Sequence, residues 1–183
     1  TRDWSSDVCS SDLTEARYGQ RIRAVYPDRE ALEALVTRDG IEGFYDSIEK
    51  RKACCGARKI EPLNRLLAGA QGWVTGLRGG QSAGREGVGF AEVDAARGLV
   101  KLNPLFDLAR ETLMSEIARL DVPYNPLHDA GFASIGCAPC TRAIAPGEPE
   151  RAGRWWWEDE AQKECGLHVG PDGRLTRAGA AVA

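Results

Sequence analysis

The sequence predicts an α/β fold, on three observations. Segments with helical periodicity alternate along the chain with short apolar runs that are typical of buried strands. The chain has 183 residues, which suits one domain. Its composition, 43% hydrophobic and 28% charged, is typical of a globular protein.

Charge and hydropathy exclude two classes of function. The formal net charge of −3 argues against broad nucleic-acid binding. No apolar run reaches the about 18 residues of a membrane-spanning helix, and no charged-then-apolar leader opens the chain. We therefore expect a cytoplasmic protein that binds neither nucleic acid nor a membrane.

The first residues differ in character from the rest. The stretch TRDWSSDVCSSDL, residues 1–13, has neither a helical nor a strand period. It is similar to a translated sequencing-adaptor scar, so we interpret it as an artefact, Cys9 included. A natural disordered tail is the alternative.

The first half of the chain predicts one strand and several helices. RIRAVYP, residues 21–27, alternates and ends at a proline, as short strands do. Asp28 is placed to cap a helix that continues to about Arg38. Further short helix is expected over residues 40–55, and Pro62 suits the first turn of the next helix. The apolar positions of these helices are Leu32, Leu35, Val36, Leu63, Leu66 and Leu67.

The second half predicts three strands and one helix. Trp73–Arg78 is expected to be a compact buried strand. Residues 88–94 and 99–104 predict a hairpin around AARG. A helix is expected from about Ala109 to Leu120, after which the chain becomes rich in loops.

The cysteines point to a metal centre. With Cys9 set aside, an odd number remains, which argues against a set of disulfides in a reducing compartment. Two close pairs suit a metal, and both zinc and iron–sulfur clusters accept four thiolates. Adjacent cysteines are unusual for structural zinc, so we favour iron–sulfur, with zinc the alternative. The pairs are Cys54–Cys55 and Cys137–Cys140, and Cys165 stands alone.

Lys59 follows Cys55 by four residues, one helical turn if that segment is helical. Its ammonium could offset the negative charge of a thiolate-ligated cluster. Alternatively, Arg58 and Lys59 form a solvated basic face.

Five segments together resemble the assimilatory adenylyl-sulfate (APS) reductase family. They occur in family order from about Tyr18 to His168, and the combination is more specific than any one of them. The segments are KACCGARKIEPLNRLLAG, WVTGLRGGQS, PYNPLHDAGFASIGCAPCTRAI, RAGRWWWE and KECGLH.

The resemblance implies a site. The two cysteine pairs (Cys54, Cys55, Cys137 and Cys140) would bind a 4Fe–4S cluster, and Cys165 would be the nucleophile. The positions that would lie near the anionic substrate are Lys59, Arg78, Gln81, Ser82, Arg151, Arg154 and His168. For Arg154 the alternative is a cation stacked on a neighbouring tryptophan.

The resemblance also implies an architecture. The fold would be an adenine-nucleotide alpha-hydrolase-like, Rossmann-like sheet with helices and a loop-rich C-terminal tail. The first strand and its phosphate-binding turn are not found, so we expect a truncated domain over residues 14–168 with little reductase activity and a tendency to aggregate. Residues from about 158 to 168 would be a mobile catalytic tail that the tryptophan block anchors at its base. Residues 169–183 would be a disordered end.

The implied activity is reduction of adenylyl sulfate to sulfite and AMP through an S-sulfocysteine on Cys165. A thioredoxin- or glutaredoxin-type protein would supply the electrons, and homo-oligomerisation stays open. Two alternatives remain. A phosphoadenylyl-sulfate (PAPS) reductase would share the ECGLH tail but lack the cluster cysteines, and a non-catalytic zinc module would leave Cys165 without a role.

Overall fold

The structure, a computed structural model, describes residues 10–159 and 163–164. The described chain divides into two compact units. The first contains residues 10–24 and Leu108–Trp156, and the second contains Val25–Asp107 with residues 157–159 and 163–164. Helices and a small mixed sheet confirm the α/β class.

The N-terminal segment of the first unit differs from expectation. Helix α1, Ser10–Tyr18, begins within the residues that show no helical period. It ends where the N–H of Gly19, at φ +64°, donates to the Glu15 carbonyl at 2.9 Å. The prediction of a strand over residues 21–27 is wrong. This segment has no regular structure, and no strand among the described residues pairs with it. Alternation alone does not make a strand without a hydrogen-bonded neighbour.

Helix α2 confirms its predicted cap. It spans Arg29–Asp39, and the Asp28 carboxylate accepts from the Ala31 N–H at 2.9 Å. Leu35 on its apolar face is buried. Gly40, at φ +81°, ends the helix by donating to the Val36 carbonyl.

A nearly continuous helical stretch follows. Helix α3 spans Ile48–Cys55, and the Ser47 hydroxyl caps it by accepting from the Lys50 N–H. A π-helical turn, Gly56–Ile60, leads directly into α4, Glu61–Leu67. Pro62 lies in the first turn of α4 as predicted, although Leu66 of the expected apolar stripe is exposed.

Three strands form the sheet of the second unit. Strand β1 is Gly72–Val74, β2 is Ala91–Asp94 and β3 is Leu99–Leu102. The order is β1-β3-β2, with β1 parallel and β2 antiparallel to β3. The hairpin is confirmed, whereas β1 is shorter than the expected Trp73–Arg78 strand and Val74 is exposed.

The sheet has an unusual distribution of polarity. Glu92 and Lys101 are register partners and form a buried ion pair, with 2.7 Å between Oε2 and Nζ. On the opposite face Val74, Val93 and Val100 are 66%, 57% and 49% exposed. Charged side chains thus lie on the buried face and apolar ones on the exposed face, the reverse of the usual arrangement.

The rest of the first unit is one helix and irregular chain. Helix α5, Arg110–Arg119, confirms the expected helix within one residue at each end. Beyond Leu120 the helical structure of the described chain is limited to short 3-10 turns at Pro126–His128 and Ala138–Cys140, in agreement with the prediction of a loop-rich region. None of the helices in the described part of the chain has the length and apolar character to cross a membrane.

Candidate functional site

The adjacent cysteines end helix α3. Cys55 is buried and Cys54 is partly exposed, and neither forms a disulfide. The π-helical turn begins at the next residue and carries Lys59, which is partly exposed. Such turns are rare and occur frequently at functional sites, because the extra residue changes which side chains share a face.

Arg51 lies one helical turn before Cys55 and is completely buried. Burial lowers the pKa of the Arg51 guanidinium, but the hydrogen bonds and the charge of Glu158 raise it by more. Cys55 also raises this pKa. The pKa is therefore raised above its usual value, and Arg51 is a permanent cation beside the cysteine pair.

The second cysteine pair is held by a compact turn. Cys137 precedes the 3-10 turn Ala138–Cys140, and the Cys140 N–H donates to the Cys137 carbonyl at 2.9 Å. The Thr141 hydroxyl donates to the same carbonyl at 2.8 Å and accepts from the Gly136 N–H at 3.1 Å. Cys140 is buried and Cys137 partly exposed, so each pair presents one buried and one accessible thiol.

Residues 154 and 155 pack against this turn. Thr141 and Arg154 form an antiparallel bridge, and the Trp155 N–H donates to the Cys140 carbonyl at 3.2 Å. The Arg154 guanidinium donates to the Ile135 carbonyl at 3.2 Å and lies 4.5 Å from the centre of the Trp155 ring. The stacked-cation alternative for Arg154 is therefore present, and its proposed contact with substrate stays a prediction.

The tryptophan block has three different environments. Trp155 is 1% exposed and adopts φ +40°, a conformation that is strained for a non-glycine residue. Trp156 is 41% exposed. Trp157 belongs to the second unit, where its ring lies 4.5 Å from Tyr45 and 6.5 Å from Phe44 between centroids. Two of the three rings thus anchor the chain before the predicted tail.

The other predicted substrate arginines are buried. Arg151 is 5% exposed, and its carbonyl accepts from the Arg154 N–H. Arg78 is 2% exposed at the start of the loop that carries Gln81, whose side-chain oxygen accepts from the Arg78 N–H at 3.2 Å. Arg78 lies in the second unit, whereas Arg151 and Arg154 lie in the first.

Arg85, in the same loop, contacts the C-terminal segment. Its Nε and Nη2 donate to the two carboxylate oxygens of Glu164 at 2.9 and 3.0 Å, and its Nη1 donates to the Gln81 side chain. Arg51 donates in the same paired manner to Glu158, at 2.8 and 2.7 Å, and through Nη1 to the Glu164 carbonyl at 2.7 Å.

These contacts involve residues that no sequence pattern marks as functional. Arg85 and Glu164 are 79 residues apart, and Arg51 and Glu158 are 107 residues apart. The only available signal is the four-residue spacing of Arg51 and Cys55. Cys165 and His168, the predicted nucleophile and its neighbour, lie outside the described residues, as do 169–183.

The two cysteine pairs offer four thiolate donors to a metal or a cluster. The two pairs lie in different units, and within residues 10–159 and 163–164 no group of three or more Cys, His, Asp or Glu side chains is arranged to hold a metal ion. None of the four cysteines forms a disulfide, and each pair has a partly exposed member. Soft thiolates of this kind suit an iron–sulfur cluster or zinc.

Comparisons with known proteins agree on one family. Residues 10–143 match the family described as the phosphoadenosine phosphosulfate reductase domain, and the match begins within residues 1–13. An adenosine 5'-phosphosulfate reductase of Rhizobium meliloti (strain 1021) is 53% identical over 168 residues, which are 92% of this chain and 63% of that protein. A protein of the same name from Rhizobium tropici is 54% identical over 158 residues, which are 86% of this chain and 88% of that protein.

A solved structure agrees on the fold. The chain is similar to a phosphoadenylyl-sulfate reductase from Candida auris in a phosphate complex, with a TM-score of 0.57 and 24% identity. The similarity covers 75% of this chain and 66% of that one. The chain spans 63% of the length of the R. meliloti relative.

Proposed function

The chain belongs to the phosphoadenosine phosphosulfate reductase domain family, and we propose that it reduces adenylyl sulfate to sulfite and AMP with electrons from a dithiol protein. One observation carries the choice of substrate: relatives more than 50% identical over most of this chain are named adenosine 5'-phosphosulfate reductases.

The proposed reaction has two steps. The Cys165 thiolate attacks the sulfate sulfur of adenylyl sulfate, the bond from that sulfur to the bridging oxygen breaks, and AMP leaves with the electron pair. A thiolate of the reductant then attacks Sγ of Cys165, and sulfite departs with the electrons of the S–S bond. A second thiol of the reductant resolves the mixed disulfide, so the dithiol supplies both electrons.

We propose that cationic side chains bind the anionic substrate. Guanidinium groups pair with sulfate and phosphate oxygens through two parallel hydrogen bonds, whereas lysine acts as a point charge. Nearby cations also favour the thiolate form of a nucleophilic cysteine. The residues proposed for this role are Lys59, Arg78, Arg151, Arg154 and His168.

We also propose that Cys54, Cys55, Cys137 and Cys140 hold a 4Fe–4S cluster. The support is chemical: four cysteines outside disulfides, each pair with a buried and a partly exposed member, and adjacent cysteines that suit separate iron corners. When bound, the cluster would supply an electrostatic field and a cross-link between two parts of the chain. Arg51 would hold positive charge beside Cys55.

PAPS is the alternative substrate, because the matching family description and the similar solved structure both name it. The presence of both cysteine pairs favours adenylyl sulfate. The thioredoxin- or glutaredoxin-type reductant is inferred from the thiol chemistry of the second step.

The full-length gene product, purified and incubated with adenylyl sulfate under anaerobic conditions, tests the proposal. We expect peptide mass spectrometry to find one added sulfonate on Cys165, and Cys165→Ser to abolish it without changing the fold. PAPS in place of adenylyl sulfate should give much less adduct. An adduct on a different cysteine would overturn the mechanism.

A further inference from the structure

Two buried arginines hold acidic residues that precede the proposed nucleophile. Arg51 is 0% exposed, and its guanidinium uses three nitrogens on the C-terminal segment: two on the Glu158 carboxylate and one on the Glu164 carbonyl. A guanidinium that donates to a carboxylate through two parallel bonds fixes both its distance and its orientation. Arg51 therefore restrains two points of the segment at once.

Arg85 restrains the second of these points independently. It holds the Glu164 carboxylate through Nε and Nη2, and its remaining terminal nitrogen donates to Gln81. The carbonyl of Glu164 and its carboxylate are thus held by different arginines, from α3 and from the loop after β1. Both the position and the orientation of the residue before Cys165 are fixed.

We propose that Arg51 and Arg85, with Glu158 and Glu164, form a tail dock that positions Cys165 for its attack on the substrate. Arg51 and Arg85 act through Glu164, the residue bonded to Cys165, and are positioning residues. The inference rests on the proposed function, which makes Cys165 the nucleophile.

The two ends of the tail dock are not equivalent. The Glu158 side chain is 3% exposed, whereas that of Glu164 is 21% exposed. Water and ions reach the Arg85–Glu164 pair more readily, so it is the contact that breaks first. Release of the Glu164 carboxylate from Arg85 would loosen the residue before Cys165 for the approach of the reductant, while Arg51 keeps its bonds to Glu158 and to the Glu164 carbonyl.

The tail dock also connects the nucleophile to the first cysteine pair. Arg51 lies against Cys55 and holds Glu164 with the same guanidinium. One side chain therefore contacts both the end of helix α3 at Cys55 and the segment before Cys165.

Glu164→Gln and Arg85→Lys test the tail dock in the full gene product. Both remove the paired hydrogen bonds, and Glu164→Asp keeps the charge on a shorter side chain. The matched control is Glu116→Gln, because Glu116 also pairs with an arginine through two nitrogens, Nε and Nη2 of Arg119, but on the exposed surface of α5.

The first readout does not depend on substrate. Lys163 is buried, so trypsin cleaves after it slowly while the tail dock is intact. We expect cleavage there to accelerate about tenfold in Glu164→Gln and Arg85→Lys, because local opening precedes proteolysis. Glu116→Gln should match the unaltered protein, and Glu164→Asp should fall between them.

The second readout is sulfonation of Cys165. We expect kcat for this step to fall about tenfold in Glu164→Gln, since misplacement of a nucleophile costs rate, with KM for adenylyl sulfate nearly unchanged. Unaltered cleavage after Lys163 in Glu164→Gln would overturn the tail dock, and so would accelerated cleavage with an unchanged kcat. If the unaltered protein acquires no sulfonate, the proposed function fails, and the positioning role of the arginines fails with it. Cleavage after Lys163 would still show whether Arg51 and Arg85 hold Glu158 and Glu164. If Arg85→Lys does not fold, Glu164→Gln decides the outcome.

Discussion

At the scale of single residues, close packing around the CAPC turn is the most informative feature. A Cβ atom built on Gly136 would lie 2.2 Å from an Arg154 nitrogen. The same guanidinium stacks on Trp155, which adopts a strained backbone conformation. The turn that presents Cys137 and Cys140 is thus fixed by a glycine that allows an arginine to approach.

Gly136→Ala tests this packing. The methyl group must displace the guanidinium, so we expect the free energy of unfolding to fall by about 2 kcal/mol, as overpacked sites do. Gly80→Ala is the matched control, because its Cβ would meet no atom within 4 Å. Urea denaturation of both variants measures the difference, and equal losses would contradict the packing argument.

Cys137→Ser tests the proposed cluster ligands. A serine hydroxyl is a poor ligand for iron, so we expect most of the iron and acid-labile sulfide to be lost from anaerobically purified protein. Iron analysis and the visible spectrum measure the loss. The control is Cys9→Ser, whose position belongs to neither pair. Full iron retention in Cys137→Ser would rule out this ligand.

At the scale of elements, the sequence predicted those helices and turns whose stabilising interactions lie within a few residues. The Asp28 cap, the hairpin and helix α5 occur where expected, because a cap, a turn and a periodic apolar face act within a few residues. The strand expected at residues 21–27 does not form, because strand formation requires a neighbour that no local pattern supplies. The tail dock joins residues as many as 113 positions apart, so its arginines look like ordinary surface charges in the sequence.

The buried pair in the hairpin shows how an element can depend on paired charges. Lys101→Met leaves the Glu92 carboxylate buried without its cation, so we expect a loss of about 3 kcal/mol in the free energy of unfolding. Adding Glu92→Gln should recover part of this loss, because the charge is removed and the amide oxygen can still accept from Asn103. Chemical denaturation of the single and double variants measures both effects. A Lys101→Met protein as stable as the parent would show that the pair contributes nothing.

At the scale of the whole molecule, one face of the sheet carries exposed apolar side chains, and the tendency to aggregate stays a prediction. Leu77 of the predicted Trp73–Arg78 strand is buried, whereas Val74 of the same strand is exposed, together with Val93 and Val100 on the same face of the sheet. Contiguous apolar surface of this kind promotes association between molecules.

We expect the double variant Val93→Thr, Val100→Thr to self-associate less than the parent while keeping its β-propensity. Sedimentation velocity over a range of protein concentrations measures the change. Ile41→Thr is the control, because Ile41 is 75% exposed but lies outside the sheet. An equal reduction in the control variant would assign self-association to general hydrophobicity instead of to this face.

The proposed tail dock would also change the length of the tether that carries Cys165, the proposed nucleophile. A free segment that began at Glu158 would give Cys165 seven residues of reach, about 25 Å when extended. With Glu164 held, the reach is one residue, about 3.8 Å between Cα atoms. The accessible volume shrinks by about two orders of magnitude, and the effective concentration of the thiol near the dock rises in proportion. If Cys165 is the nucleophile, the same restraint limits the approach of a large reductant, so sulfonation and discharge would favour opposite states of the Arg85–Glu164 ion pair.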